Sequence, residues 1–250
     1  VDVGADTPDP DLTALVRGDV DSIVQITVRR DDQLLTFDVQ RAEVLVPSTF
    51  WQIAHDDPAI GLIQITRFTD RAPAETQQAI RELREQGAVA FIIDIRNNGG
   101  GLVDSAVAIA GEFLAGGVVL FEERQGTPNE ERKTASLGGA ALNDPVVVLV
   151  NGGTASASEI LAGALQDRGR GLLVGEPTFG KGSVQVILPL SDGSSLHVTN
   201  AEWFTPNYNR IEGQGLTPDV IVTPIEGQDS ALLRAIELLS EQIRVVDTDQ

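Results

Sequence analysis

Two short stretches do most to limit what this chain can fold into: Ala88–Ile95, AVAFIIDI, and Pro145–Val150, PVVVLV. Both are strand-sized and almost wholly apolar, with no alternation of polar residues. Such a run reads as a strand covered on both faces, the situation of a parallel sheet buried between helices. The flanking segments keep the same rhythm. Gly61–Phe68 reads as a further strand and Pro73–Glu85 as a helix, with Pro73 in its first turn and Thr76, Ile80 and Leu83 on one face. Leu102–Leu114 predicts a helix, Val118–Glu122 a strand, Ser156–Gln166 a helix and Leu172–Gly175 a strand. Strand–helix alternation implies right-handed βαβ units with parallel pairing, hence an α/β fold.

The rest of the chain is less regular. Residues 1–9 are rich in Asp, Pro and Gly and read as a lead-in. Asp11–Val16 predicts a short helix, and Ile23–Arg29 and Leu34–Val39 alternate around Asp31-Asp32 as a hairpin. One helix and two strands cannot enclose a core, so this piece reads as an appendage or as the tail of a truncated domain. Glu123–Asn143 is polar and Gly-rich and reads as a surface loop. Ser183–Leu190 and Ser195–Thr199 flank Asp192-Gly193 as a second hairpin, and Ala231–Ile243 reads as a closing amphipathic helix. There is no Met, so Val1 reads as a processing boundary rather than a natural start.

Composition removes several function classes. With no Cys in 250 residues, disulfides, thiolate metal sites and a cysteine nucleophile are excluded. A net charge of −19 argues against nucleic acid or an anionic membrane surface as partner. No apolar run reaches the roughly 18–20 residues that span a bilayer. Of the 18 basic residues 16 are Arg, and the two Lys are Lys133 and Lys181. Arg stays protonated in proteins, whereas a desolvated Lys can act as a base.

Three segments could carry chemistry. In VVVLVNGGTASASEILAGAL a buried strand ends at Val150, a Gly-Gly turn follows, and a helix begins within the Ser/Ala run. That sets a hydroxyl at a helix N-terminus, where free N–H groups favour developing negative charge. Thr154, Ser156 and Ser158 all qualify, but helical geometry points Ser156 and Ser158 about 200° apart, so one cleft takes only one of them. Ordinary N-capping is the competing explanation. In GEPTFGKGSVQVILPL, a strand from Lys181 would put Lys181, Ser183 and Gln185 on one face and Val184, Val186 and Leu188 on the core face. Glycines on either side of Lys181 let other backbone approach it closely and desolvate it; a solvated Lys on a half-exposed strand is the alternative. In DIRNNGGGL, three glycines between a strand and a helix can expose N–H groups toward an oxyanion. The two histidines, His55 in AHDDP and His197 in SSLHVTN, both read as surface residues rather than as a base for a Ser/His/Asp arrangement. Asp56, Asp57 and Asp70 have no metal-ligand spacing.

Taken together, RNNGGGL, NGGTASASEILAGAL, GEPTFGKGSVQ and WFTPNYNRIEGQGLTPDVIV resemble the C-terminal processing (tail-specific) serine peptidases, in order and separation, over roughly Val39–Pro224. The resemblance puts the family's nucleophile on Ser156, its general base on Lys181, 25 positions downstream, and its assisting glutamine on Gln185. It implies backbone oxyanion donors at Ala157 and within Gly99–Gly101, assigned to Gly100. Gly99 stands where relatives often have Pro, which loosens that turn. The resemblance further implies a crotonase/ClpP-like superhelix of βαβ units over residues 41–228. It makes residues 1–40 a lead-in and the C-terminal portion of a PDZ domain, with residues 229–250 as a C-terminal helix and tail. The implied activity is endoproteolysis of unfolded or C-terminally exposed polypeptides through an acyl-enzyme, without cofactor or metal, outside the cytoplasm of a bacterium. A crotonase-type acyl-CoA enzyme and a non-catalytic peptide- or ligand-binding member of the same fold are the rival readings.

Overall fold

A computed structural model describes residues 9–55, 57–124 and 130–248. All but the last residue of the expected lead-in lies outside them. The chain divides into two compact units, Val1–Val46 and Pro47–Gln250. The division thus falls a few residues beyond the expected boundary at residue 40, and Arg41 is hydrogen-bonded to Val16, Asp21 and Ser22 of the first unit.

In the first unit a helix, α1 (Asp9–Val16), precedes a hairpin of β1 (Ile23–Arg30) and β2 (Gln33–Gln40). Asp31 and Asp32 both take positive φ, +46° and +60°, the geometry of a two-residue hairpin turn that matches strand twist. One face of the ladder pairs Val24 with Val39, Ile26 with Phe37 and Val28 with Leu35; the other pairs Gln25 with Asp38 and Thr27 with Thr36. None of residues 13–46 is buried, as expected of a lone two-stranded hairpin.

The second unit follows the expected alternation: β3 (Thr49–Ala54), β4 (Asp57–Ile65), α2 (Ala72–Glu85), β5 (Ala90–Asp94), α3 (Val103–Phe113), β6 (Val118–Arg124), β7 (Glu130–Thr134), β8 (Val146–Val150), α4 (Ala157–Asp167), β9 (Leu172–Gly175), β10 (Ser183–Pro189), β11 (Ser195–Phe204), β12 (Val220–Ile221) and α5 (Ser230–Thr248). Six strands form one sheet in the order β12-β9-β8-β5-β4-β3. All neighbours in it are parallel except the edge pair β3–β4. Each crossover, β4-α2-β5, β5-α3-β8 and β8-α4-β9, moves one strand further in the same direction, which is the superhelical march of βαβ units. A second, antiparallel sheet has the order β10-β11-β6-β7.

The apolar runs earn their composition here. Every residue of β5 and β8 is buried. Ile63, Ile65, Phe91, Ile93, Val148 and Val150 face a core closed by α2, α3 and α4. Ile60, Ile92, Val147, Leu149 and Val174 face the opposite side, closed by Ala235, Ile236 and Leu239 of α5. α5 is therefore the lid of the second face of the sheet. It is tied there by Arg96, whose guanidinium donates to Asp94 (2.7 Å) and to Asp229 (2.7 and 2.9 Å) at the head of α5.

Three elements differ from expectation. β3 lies in a stretch with no predicted strand; it pairs with β4, and the Trp51 indole donates to Glu82 of α2 at 2.9 Å. β7, EERKT, lies inside the expected loop Glu123–Asn143: it has no apolar alternation and owes its conformation to pairing with β6, as charged edge strands do. Residues 125–129 of that loop lie outside the described residues. The hairpin β10–β11 was expected to turn its apolar set onto the core, but only its near end does: Val184 packs on it, whereas Leu188 and Leu196 are about half exposed. Among the described residues no helix is long and apolar enough to cross a membrane.

Two outcomes follow from the role of α5. Leu239→Ala removes a side chain that is 0% exposed, and should lower unfolding free energy by about 2–5 kcal/mol, read as a lower urea midpoint at unchanged slope. The hydrogen bonds from Arg96 hold the Asp229 carboxyl below its usual value, with burial opposing them. A depressed carboxyl stabilises the fold above the unfolded-state value and loses that contribution as the pH falls through the folded one. The stability difference between wild type and Asp229→Asn should thus be present at pH 7 and shrink below about pH 4. A difference that grows on acidification contradicts it.

Candidate active site

The turn between β8 and α4 is fixed by hydrogen bonds to the turn after β5. Asn151 and Asn97 bond to each other, with the Asn97 N–H donating to Asn151 Oδ1 at 2.9 Å and Asn151 Nδ2 to Asn97 Oδ1 at 3.0 Å. Of the three candidate hydroxyls, two are sealed into this frame. Thr154 Oγ1 donates to the Ile95 carbonyl (3.0 Å) and accepts the Asn151 N–H (3.0 Å); Ser158 Oγ donates to the Asn98 carbonyl (2.8 Å). Both residues are 0% exposed. Ser156 is different. It is only partly buried, it forms the N-cap of a capping box with Glu159, and its backbone sits at φ +57°, ψ −120°. A non-glycine residue there is strained by about 1–3 kcal/mol and persists only where its surroundings enforce it. The strand-to-helix turn thus presents one hydroxyl at the head of α4 on a strained residue, the device by which hydrolases expose a nucleophile.

The triglycine turn packs directly against this residue. Asn98, 1% exposed, donates from Nδ2 to the Ile65 carbonyl (2.7 Å) and accepts the Gly100 N–H on Oδ1 (2.9 Å). Gly100 has φ +103°, and a Cβ there would lie 2.9 Å from both the Ala155 carbonyl oxygen and Ser156 Cβ, and 3.0 Å from the Ala157 nitrogen. Only glycine permits that approach. The Ala157 N–H, at the first position of α4, meets no acceptor among the described residues, and neither do those of Gly99 and Gly101. The Gly100 N–H, the donor assigned from resemblance, is here engaged by Asn98.

Lys181 reaches the same place along a segment whose backbone is bound at nearly every position. The Phe179 N–H donates to the Thr154 carbonyl (2.9 Å), that of Gly182 to Glu212 Oε2 (2.8 Å), and that of Gly213 to the Gly180 carbonyl (2.9 Å). The Lys181 carbonyl accepts the Trp203 indole N–H at 3.1 Å. Between these lies a residue that sequence reasoning missed. Glu159, 0% exposed, accepts the N–H groups of Ser156 (2.9 Å) and Lys181 (2.9 Å) on Oε2, and the Gly180 N–H (2.7 Å) and Thr178 hydroxyl (2.5 Å) on Oε1. With both on one oxygen, the Ser156 and Lys181 nitrogens lie within twice that bond length of each other. The available signal was the S-x-x-E spacing of Ser156 and Glu159, in which the acid reaches back to the N-cap N–H.

Two expectations about Lys181 and Gln185 are corrected. Lys181 precedes β10, which begins at Ser183, so the strand alternation that would have put both on one face does not reach it. Gln185 is exposed. Among the described residues, the side chains of Ser156, Lys181 and Gln185 make no hydrogen bond with one another. Neither histidine is placed to serve as the base. His55 lies in the β3–β4 turn, at the start of β4 and so at the end of the sheet opposite Ser156; His197 sits on β11 opposite Ile187, toward the hairpin turn. Asp56 lies outside the described residues, among which no three His, Asp or Glu side chains are grouped to hold a metal.

A carboxyl-terminal-processing protease of Synechocystis sp. is 47% identical over 165 residues, covering 66% of this chain and 38% of that protein. Carboxyl-terminal-processing peptidase 2, chloroplastic, of Arabidopsis thaliana is 38% identical over 215 residues, 84% of this chain and 42% of that one. The chain spans about half the length, or less, of the curated relatives it matches. Among solved structures, the photosystem II D1 C-terminal processing protease superposes with a TM-score of 0.64 at 33% identity, covering 90% of this chain and 62% of that one. The sequence pattern of peptidase family S41 matches residues 59–222, well over half of the sequence, and the chain belongs to that family.

Proposed function

We propose that this chain is the catalytic core of a serine endopeptidase that cleaves polypeptides near their C-termini, with Ser156 as nucleophile and Lys181 as general base. The observation that carries the reading is the sharing of one Glu159 oxygen by the Ser156 and Lys181 amides, which brings two residues 25 positions apart to one point. The long, rotatable Lys stem then bridges the remaining gap to Ser156 Oγ. The uncharged Lys181 amine takes the Ser156 proton as Oγ adds to the scissile carbonyl carbon. The Ala157 N–H, which meets no acceptor among the described residues, donates to the oxyanion together with an N–H of the Gly99–Gly101 turn; the Gly100 N–H serves once it leaves Asn98 Oδ1. Collapse expels the amine, which takes the proton from Lys181, and water then hydrolyses the ester. Gln185 assists by holding the Lys181 amine, which requires its exposed side chain to turn inward when substrate binds.

The substrate in this reading is an unfolded or C-terminally exposed polypeptide, bound extended and added edge-on as a strand. β1, β2 and α1 are read as the C-terminal part of a PDZ module, supported by a hairpin with one apolar face and no buried residue. An extracytoplasmic setting in a bacterium belongs to the same reading and rests on family resemblance alone.

Two measurements test the proposal. In a cleavage assay on a disordered polypeptide, Ser156→Ala and Lys181→Ala should each abolish turnover; undiminished turnover in either rejects the dyad. Gly100→Ala should fold yet lose about 100-fold or more in kcat, because its Cβ would occupy the contact with Ser156 and Ala157 where the oxyanion forms. A Gly100→Ala enzyme of normal kcat would show that this turn takes no part.

A further inference from the structure

We propose that Glu159 is a positioning residue of the site: its buried carboxylate sets the reach of Lys181 to Ser156 by holding both backbones. The inference rests on the Ser156/Lys181 reading and deepens it.

Glu159 is wholly buried, and no Lys or Arg side chain among the described residues pairs with it. Its charge is compensated by four N–H and O–H donors alone. A carboxylate buried in that manner is a poor way to gain stability, since a well-packed apolar side chain serves a core at least as well. Nor is helix capping a sufficient account. A cap needs only the bond to the Ser156 N–H, whereas the other three donors come from Thr178, Gly180 and Lys181, 19 to 22 residues further on. The division of labour between the oxygens is what matters. Oε2 takes Ser156 and Lys181 together, while Oε1 takes Gly180 and Thr178 and so fixes the rotation of the planar carboxylate. Thr178 is locked in turn, since its Oγ1 accepts the Leu216 N–H at 2.7 Å.

Every neighbour of the carboxylate is a donor, so Glu159→Gln, which keeps the volume, turns an NH2 group against N–H groups. The two hydrogen bonds to one of the oxygens are lost, and the segment carrying Lys181 shifts relative to Ser156. A displacement on the order of 1 Å at reacting groups costs about 100-fold in rate.

The test is steady-state kinetics on the disordered polypeptide, with amide hydrogen exchange on the unbound protein. Glu159→Gln should lower kcat about 100-fold while KM stays within about threefold, and should speed exchange at Gly180 and Lys181 while β5 and β8 stay protected. Thr178→Val, isosteric and missing only the hydroxyl, should lower kcat by a smaller factor, again at unchanged KM. It decides the matter should Glu159→Gln fail to fold. A folded Glu159→Gln enzyme with wild-type kcat overturns the positioning role, as does one whose loss is in KM. The underlying reading fails separately: active Ser156→Ala removes the dyad, whereas inactive Ser156→Ala beside fully active Glu159→Gln removes only this inference.

Discussion

A parallel sheet has to be covered on both faces, and most of this structure follows from that requirement. Its neighbouring strands cannot be joined by tight turns, so each is linked through a helix, and the helices close one face over β5 and β8. One face remains open until the chain returns, and α5 closes it. Each buried Val, Leu or Ile then contributes about 1.5–3 kcal/mol, the term that makes the sheet a rigid platform. The price of that rigidity falls at the ends of the strands, where the backbone must turn and leaves unpaired N–H groups at the starts of helices.

Those strand ends are where the candidate site residues gather. The turns after β5 and β8 are adjacent because their strands are, and the fold stitches them with Asn97, Asn98, Asn151 and Thr154. The polar residues of this region divide by task. Asn98 and Thr154 satisfy backbone groups in the interior; Ser156 heads α4 in a strained conformation and is only partly buried. Stability taken from two covered sheet faces thus holds one residue in a strained backbone conformation.

Much of this was legible in the sequence, for reasons that differ by element. β5 and β8 were plain because burial on both faces removes polar residues. The hairpin at Asp31-Asp32 was plain because the turn is local. β7 could not be read, since EERKT takes its conformation from pairing with β6. At the site, the helix start was legible as a place for a nucleophile, but the local pattern did not choose among three hydroxyls, and only resemblance pointed to Ser156. The choice depends on bonds from Thr154 and Ser158 to carbonyls about 60 residues earlier. The strand-face argument for Lys181 and Gln185 failed because β10 begins only at Ser183, after the glycine that follows Lys181. Glu159 could be read as a cap, but not as the meeting point of two loops, because three of its four donors are remote in sequence.

The central claim is that one hydroxyl, Ser156, is the nucleophile and that Lys181 activates it. Acylation by a peptidyl β-lactone, in which ring opening leaves an ester on the attacking oxygen, reads this out directly when the modified residue is mapped by mass spectrometry. The account predicts a single adduct on Ser156 whose formation is lost in Lys181→Ala. An adduct on Thr154 or Ser158, or equal acylation of Ser156 with and without Lys181, contradicts it.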